Sequence, residues 1–193
     1  GGIAGYAKSS RIYNCSNEVD LTSGSYIGGI VGEAITSKIF NCCNFGKLSG
    51  DDCVGGIVGK SGEKTEIWNS YNKGSIKDVW SSSGGVVGYN CGEVVNCYSS
   101  GTIKLSSLNP PFLTVGGVVG YNHTNTYIVN CYYLQQAPIN IGINLIGDLD
   151  WGTCISCCTF NGAGELSETI LCDGGQYASI LKDALNYFIS VHE

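Results

Sequence analysis

Aliphatic residues return along this chain at one long interval rather than at the short periods of a helix or a lone strand. Ile3, Ile30, Ile57, Val86 and Val118 each sit inside a phrase of the form Gly-Gly-aliphatic-x-Gly, and successive phrases begin 27, 27, 29 and 32 residues apart. A second set, Ile12, Ile39, Ile67, Val94 and Ile128, lies two residues before a recurring Asn. A third, Leu21, Leu48, Ile76 and Ile103, lies seven residues after the first four of those Asn. Polar and glycine positions separate the sets, with Gly46, Gly74 and Gly101 five residues beyond Asn41, Asn69 and Asn96. Short β-prone segments punctuated by Gly or Asn read as strand–turn–strand–turn–strand. A fixed period of this size means a stack of similar units.

The segments are too short for helices and lack helical periodicity, and the unit has the length of one triangular turn of a parallel β-solenoid, whose coils stack at about 4.8 Å. Stacking converts each repeated position into a ladder. The three aliphatic sets become inner walls. Asn14, Asn41, Asn69, Asn96 and Asn130 form a turn column, because Asn tolerates the left-handed backbone region, with amides bonded along the axis as in cross-β assemblies. Cys15, Cys42, Cys97 and Cys131, with Ser70 in the same series, point inward at a tight corner, where free Cys packs as a small apolar group. The glycines supply either positive φ or close backbone approach.

The phrases Val115-Gly116-Gly117-Val118-Val119-Gly120-Tyr121-Asn122 and Val94-Val95-Asn96-Cys97-Tyr98-Ser99-Ser100-Gly101-Thr102-Ile103 resemble the GLUG repeat of bacterial surface proteins, including adhesins and regions beside immunoglobulin A peptidases. The resemblance covers residues 1 to about 133. It implies a right-handed β-solenoid on a secreted or cell-surface protein, and it implies no reaction. The first unit departs at Val19, where Gly is expected, Ser83 stands where Val is expected, and the fifth unit loses the pattern after Cys131.

Beyond Tyr133 the period fades. Residues 135–165 read as one degenerate coil, which gives a solenoid over 1–165 of about five to six coils. Ile180, Leu181, Ala184, Leu185, Phe188 and Ile189 then follow helical spacing. This predicts a cap over 166–193 with an amphipathic helix at about 178–190, covering an end that would otherwise expose apolar core and open strand edges. The chain opens inside a repeat, which points to the C-terminal fragment of a larger protein.

Composition narrows the partners. Charged residues make up 13% of the chain against about 25% in an ordinary soluble domain. The formal charge of −6 and the lack of a Lys/Arg cluster argue against nucleic acid, and no apolar run reaches the roughly 18 residues of a membrane span. A monomer is expected. Eleven cysteines leave at least one outside any internal disulfide. For Cys154, Cys157, Cys158 and Cys172 a zinc half-site, a local disulfide and buried thiols all stay open, and neither a metal nor a cofactor is expected.

No catalytic constellation stands out. His192 is next to the chain end, and His123 lies in Asn122-His123-Thr124, a turn and a glycosylation acceptor pattern. The carboxylates Asp51, Asp52, Glu63, Glu66, Asp148 and Asp150 fall at unequal repeat positions, as solvated loop charges do. The stronger candidates are aromatic: Tyr89 and Tyr121 after the last Gly of the phrase, Tyr71, Tyr98 and Tyr132 after the Cys/Ser rung, Tyr13, Phe40 and Trp68 before the Asn, and Phe112 in the insertion 105–114. Outward rings with a polar rim stack on sugars or mark a protein contact, although rings also favour sheets for packing reasons alone. The sequence therefore points to a non-catalytic extracellular scaffold or adhesion module, with a glycan or a host or matrix protein as partner. The alternative is an accessory or substrate-binding region of a solenoid enzyme acting on carbohydrate or host glycoprotein.

Overall fold

A computed structural model describes residues 1–22, 24–79, 81–105, 114–123 and 126–134, with the backbone of the strands Asn144–Leu149, Thr153–Ile155, Cys158–Phe160, Glu165–Leu171 and Tyr177–Ile180 and residue 185. The chain is nearly all β, and its parallel strands stack as a β-solenoid of about four turns. The second, third and fourth coils each contribute five short strands rather than the expected three. In the second coil these are Ser25–Gly28, Val31–Ile35, Lys38–Phe40, Cys43–Asn44 and Leu48–Ser49. The extra breaks arise because single residues in left-handed conformation turn the chain: Asn14, Asn41, Asn69, Asn96 and Asn130 all have φ between 49° and 54°. The strands line up in four sheets instead of the three walls of a triangle.

The aliphatic ladders are in register. Ile12, Ile39, Ile67, Val94 and Ile128 pair from coil to coil, as do Leu21, Leu48, Ile76 and Ile103. Backbone bonds link Ile3, Ile30, Ile57, Val86 and Val118 in turn. Ile30, Ile39, Ile57, Ile67, Val86, Val94, Val118 and Ile128 are fully buried in one core, and Ile27, Leu48, Val54, Ile76 and Ile103 form a second. The first coil departs from the expected interior. Ile3 is 48% exposed and Ile12 and Leu21 are half-buried, at the end of the described stack.

Between the two cores runs a polar waist, and it explains the glycine pairs. A Cβ on Gly56 would lie 2.1 Å from the carbonyl oxygen of Gly85 and 2.4 Å from Asn72 Cγ; one on Gly29 would meet the Gly56 carbonyl at 2.3 Å and Asn44 Cγ at 2.4 Å. The corner glycines Gly46, Gly74 and Gly101 would likewise strike the preceding coil's carbonyl at 1.9–2.1 Å. None of these glycines has left-handed φ, so close approach rather than conformational freedom fixes them. The carbonyl that Gly46 approaches is that of Val19. Val19 itself is 66% exposed.

The last parallel pairs join Tyr127–Val129 to Thr153–Ile155 and Tyr132–Leu134 to Cys158–Phe160. The sheet then reverses, with Glu165–Leu171 antiparallel to Cys158–Phe160 and to Tyr177–Ile180. The predicted helix start is corrected accordingly: residues 178–180 are strand, held by pairing of Ala178 with Ile170. Leu185 is helical, and the other cap positions lie outside the described residues. No helix among the described residues is long and apolar enough to cross a membrane.

Candidate functional site

The interior is a set of polar and thiol ladders. Cys42, Cys97 and Cys131 are fully buried, and Cys15, in the outermost coil, is half-exposed. Each thiol donates to the carbonyl two residues earlier at 3.2 Å: Cys15 to Tyr13, Cys42 to Phe40, Cys97 to Val95 and Cys131 to Val129. Ser70 does the same to Trp68 at 2.8 Å, so Ser and Cys interchange by doing one job. Cys15, Cys42, Cys43, Cys53, Cys91, Cys97 and Cys131 carry thiols rather than disulfides. Burial pushes the Cys42 thiol up to about 11 and the Cys53 thiol upward as well, with the Asp52 carboxylate as a second cause at Cys53. Cys42 and Cys53 are packing thiols, protonated at neutral pH and poor nucleophiles. Cys157 and Cys172 lie outside the described residues, and Cys154 and Cys158 are described only as backbone in their strands.

The turn column bonds along the axis in its later coils. Asn96 Nδ2 donates to Asn69 Oδ1 and Asn130 Nδ2 to Asn96 Oδ1, both at 2.7 Å, while Asn14 and Asn41 are exposed. Two deeper ladders were not anticipated. Asn17 donates to Asn44 at 2.7 Å and Asn44 to Asn72 at 2.8 Å, and each amide also reaches the carbonyl two residues on, in Val19, Gly46 and Gly74. Ser61 donates to Asn90, and Asn90 to Asn122 at 2.8 Å. The signal for the first was present as Asn-x-x-Asn in Asn14/Asn17, Asn41/Asn44 and Asn69/Asn72. Asn122 is fully buried, which corrects its reading as a glycan acceptor: its side chain is inside the fold.

The candidate contact aromatics fall on different faces. Tyr89 and Tyr121 pair in one sheet, Trp68 lies in a second beside Phe40, and Tyr98 lies in a third beside Tyr71. Phe112 is outside the described residues. Tyr132, expected outward, is fully buried with its hydroxyl on Asn130. Two runs of rings span three coils each. Tyr13, Phe40 and Trp68 follow at centroid distances of 5.4 and 5.6 Å, tilted by 44° and 49°. Phe45 meets Tyr71 edge-on at 5.9 Å, and Tyr71 stacks on Tyr98 at 5.0 Å. Lys73 lies over Phe45 and Tyr71 at 5.8 and 5.5 Å. The two runs lie in the sheets on either side of the Asn14–Asn41–Asn69 corner.

The charges pair locally. Lys38 meets Glu66 at 2.8 Å and Lys60 meets Glu33 at 3.2 Å. Lys60 also covers the Tyr26 ring at 4.9 Å. Glu33 and Lys60 line a shallow groove of about 380 Å³ with Glu63, Lys64, Thr36 and Cys91. Among the described residues no cluster of three or more His, Cys, Asp or Glu side chains is placed to hold a metal ion. Comparison with protein-family models, with curated proteins and with solved structures finds no match.

Proposed function

We propose that the chain is a non-catalytic extracellular scaffold of the GLUG-repeat kind, which binds a glycan or a matrix protein through its outer aromatic surface. The observation that carries this reading is the run Tyr13–Phe40–Trp68. Its tilted rings leave part of each face open, whereas parallel stacking consumes the faces of Tyr89 and Tyr121. Tyr13 is 42% exposed although a polar side chain would serve an outward sheet position equally well. Aromatic faces beside amide groups are the chemistry of sugar and protein contact surfaces. On this reading the solenoid is right-handed with five to six coils, and residues 166–193 close its far end with the antiparallel hairpin and a helix. A glycan and matrix-protein array tests the proposal with the native chain and a Tyr13→Ala/Phe40→Ala variant. Binding that falls at least tenfold in the variant supports it. Binding that the variant leaves unchanged, or turnover of a polysaccharide by the chain, refutes it.

A further inference from the structure

In-register stacking places like side chains one above another, and for tyrosine this has a chemical consequence independent of any ligand. Tyr71 and Tyr98 stack with centroids 5.0 Å apart and planes 7° apart, and Tyr89 and Tyr121 with centroids 4.7 Å apart and planes 18° apart. In both pairs the residues are direct register partners on parallel strands, so the rings overlie with like atoms facing like. All four are half-exposed. We propose that Tyr71–Tyr98 and Tyr89–Tyr121 are oxidative cross-linking sites, at which a peroxidase-type one-electron oxidant joins each pair as dityrosine and staples successive coils.

The step balances as follows. Each phenol gives up its O–H hydrogen as one proton and one electron, leaving two phenoxyl radicals with spin on the ortho carbons. A carbon–carbon bond joins one ortho carbon of each ring, and the two ortho hydrogens return to the oxygens as the rings rearomatise. The pair loses two hydrogen atoms in all, and hydrogen peroxide, acting through a haem peroxidase, takes them up as two waters. Adjacency decides which tyrosines couple, because a pre-positioned partner replaces a bimolecular encounter with an effectively unimolecular one. Burial pushes the Tyr71 phenol up to about 12, so proton and electron leave together at neutral pH. Each pair also has a thiol beside it: Cys43 is the register partner of Tyr71 on the preceding coil, and Cys91 neighbours Tyr89. A thiol returns a hydrogen atom to phenoxyl, so these cysteines guard the pairs while reduced.

The test treats the full chain, at low concentration, with a haem peroxidase and limiting hydrogen peroxide. It reads dityrosine fluorescence on the monomer fraction and the loss of two hydrogens per link by intact mass. The native chain and a Cys43→Ser/Cys91→Ser variant should both cross-link within the monomer, the variant with higher yield. Adding Tyr98→Phe or Tyr89→Phe should each remove one link, and the two together should reduce the signal to background; both changes keep the ring and the stacking. Tyr6 and Tyr127 are 54% and 51% exposed, but their register neighbours are Glu33, Glu93 and Thr153. Tyr6→Phe and Tyr127→Phe should therefore change nothing. Intermolecular dimers in place of monomeric links, or links that survive the Tyr89→Phe/Tyr98→Phe double change, would overturn the assignment.

Discussion

Ser83→Val should make this protein more stable. Ser83 pairs with Val54 on one side and Val115 on the other, and Val54 pairs with Ile27. It is therefore the one polar member of an aliphatic ladder in the second core. It is fully buried, and its hydroxyl has no hydrogen-bond partner. An unsatisfied buried hydroxyl costs about 1–3 kcal/mol. Valine replaces that oxygen with carbon and adds one methyl, about 0.8 kcal/mol more if the site takes it, and it suits a strand better. Crowding against Val54 opposes this, since an extra methylene in a packed core costs about 1–3 kcal/mol when nothing yields. The rung already holds Val above and below, so the relief of the hydroxyl should win by about 1–2 kcal/mol. For a chain of this size that corresponds to a rise of about 2–8 °C in Tm. Urea titration measures it directly as a higher midpoint at unchanged slope. Ser83→Ala separates the two terms: it removes the hydroxyl without adding volume and should be neutral to mildly stabilising. If Ala and Val both destabilise, the hydroxyl is bonded, through a buried water or otherwise, and the reasoning fails.

Three further outcomes follow from the same geometry. Gly56→Ala should cost more than about 3 kcal/mol or prevent folding, because both of its near neighbours are held by the next coil and by the Asn ladder; Gly5→Ala, with nothing within 4 Å of its Cβ, should stay within about 0.5 kcal/mol of the native chain by urea titration. Thiol titration of the native chain should find Cys42, Cys97 and Cys131 unreactive and Cys15 and Cys43 reacting first, with all of them labelled on unfolding; prompt native labelling of the buried three would contradict their placement. The folded-state pKa of Cys42 is raised from 9.0 to about 11, so its contribution is whole below pH 9 and is lost as pH rises from 9 to 11, where the unfolded chain ionises first. The urea midpoint should fall across that window, and Cys42→Ser, which keeps the donor to the Phe40 carbonyl, should flatten the fall.

The ladders were legible because a solenoid repeats its physics at one interval. Ile39, Ile67 and Val94 recur at the period, and so do Asn41, Asn69 and Asn96, whose left-handed φ follows from their chemistry. Five features escaped. Five strands per coil were not visible, because two-residue strands such as Cys43–Asn44 carry no hydrophobic alternation of their own. The polar waist was hidden because a core is expected to be apolar: Asn44 and Asn72 had no place in the ladders read from sequence, yet their side chains fill the space that a Cβ on Gly29 or Gly56 would need. Tyr132 looked like its rung-mates Tyr71 and Tyr98, yet it is fully buried and bonded to Asn130. The residues before the helical spacing at 181–189 pair as strand at 177–180, because Ala178 and Tyr177 find partners in 170 and 171 that a local period cannot reveal. The candidate contacts Tyr89, Tyr98, Tyr121 and Trp68 were legible as outward rings but not as occupants of separate faces, since wall assignment depends on where each corner turns.

The repeat also separates what the fold demands from what it merely permits, since each coil is an independent solution to the same packing problem. Inward positions hardly vary: Ile, Val or Leu in the walls, Cys or Ser at the corner, Gly at the waist. The outward position after the last Gly varies freely, as Tyr6, Glu33, Lys60, Tyr89 and Tyr121 stand in one register column. The fold therefore does not need an aromatic there. The column Tyr13, Phe40, Trp68, Val95 and Val129 is different in kind. It holds large rings for three coils and then changes to valine with no change in the register of the sheet. The column closes at that point: Tyr13 is exposed and Phe40 and Trp68 are half-buried, whereas Val95 is buried. A small side chain at Val95 therefore answers to packing, while the rings of the first three coils stand where the column is open. That opening sets the length of the contact that the surface offers, so that a ligand reading this face should lose affinity with Tyr13, Phe40 or Trp68 replaced by Val and should be indifferent to an aromatic residue placed at the half-buried Val129.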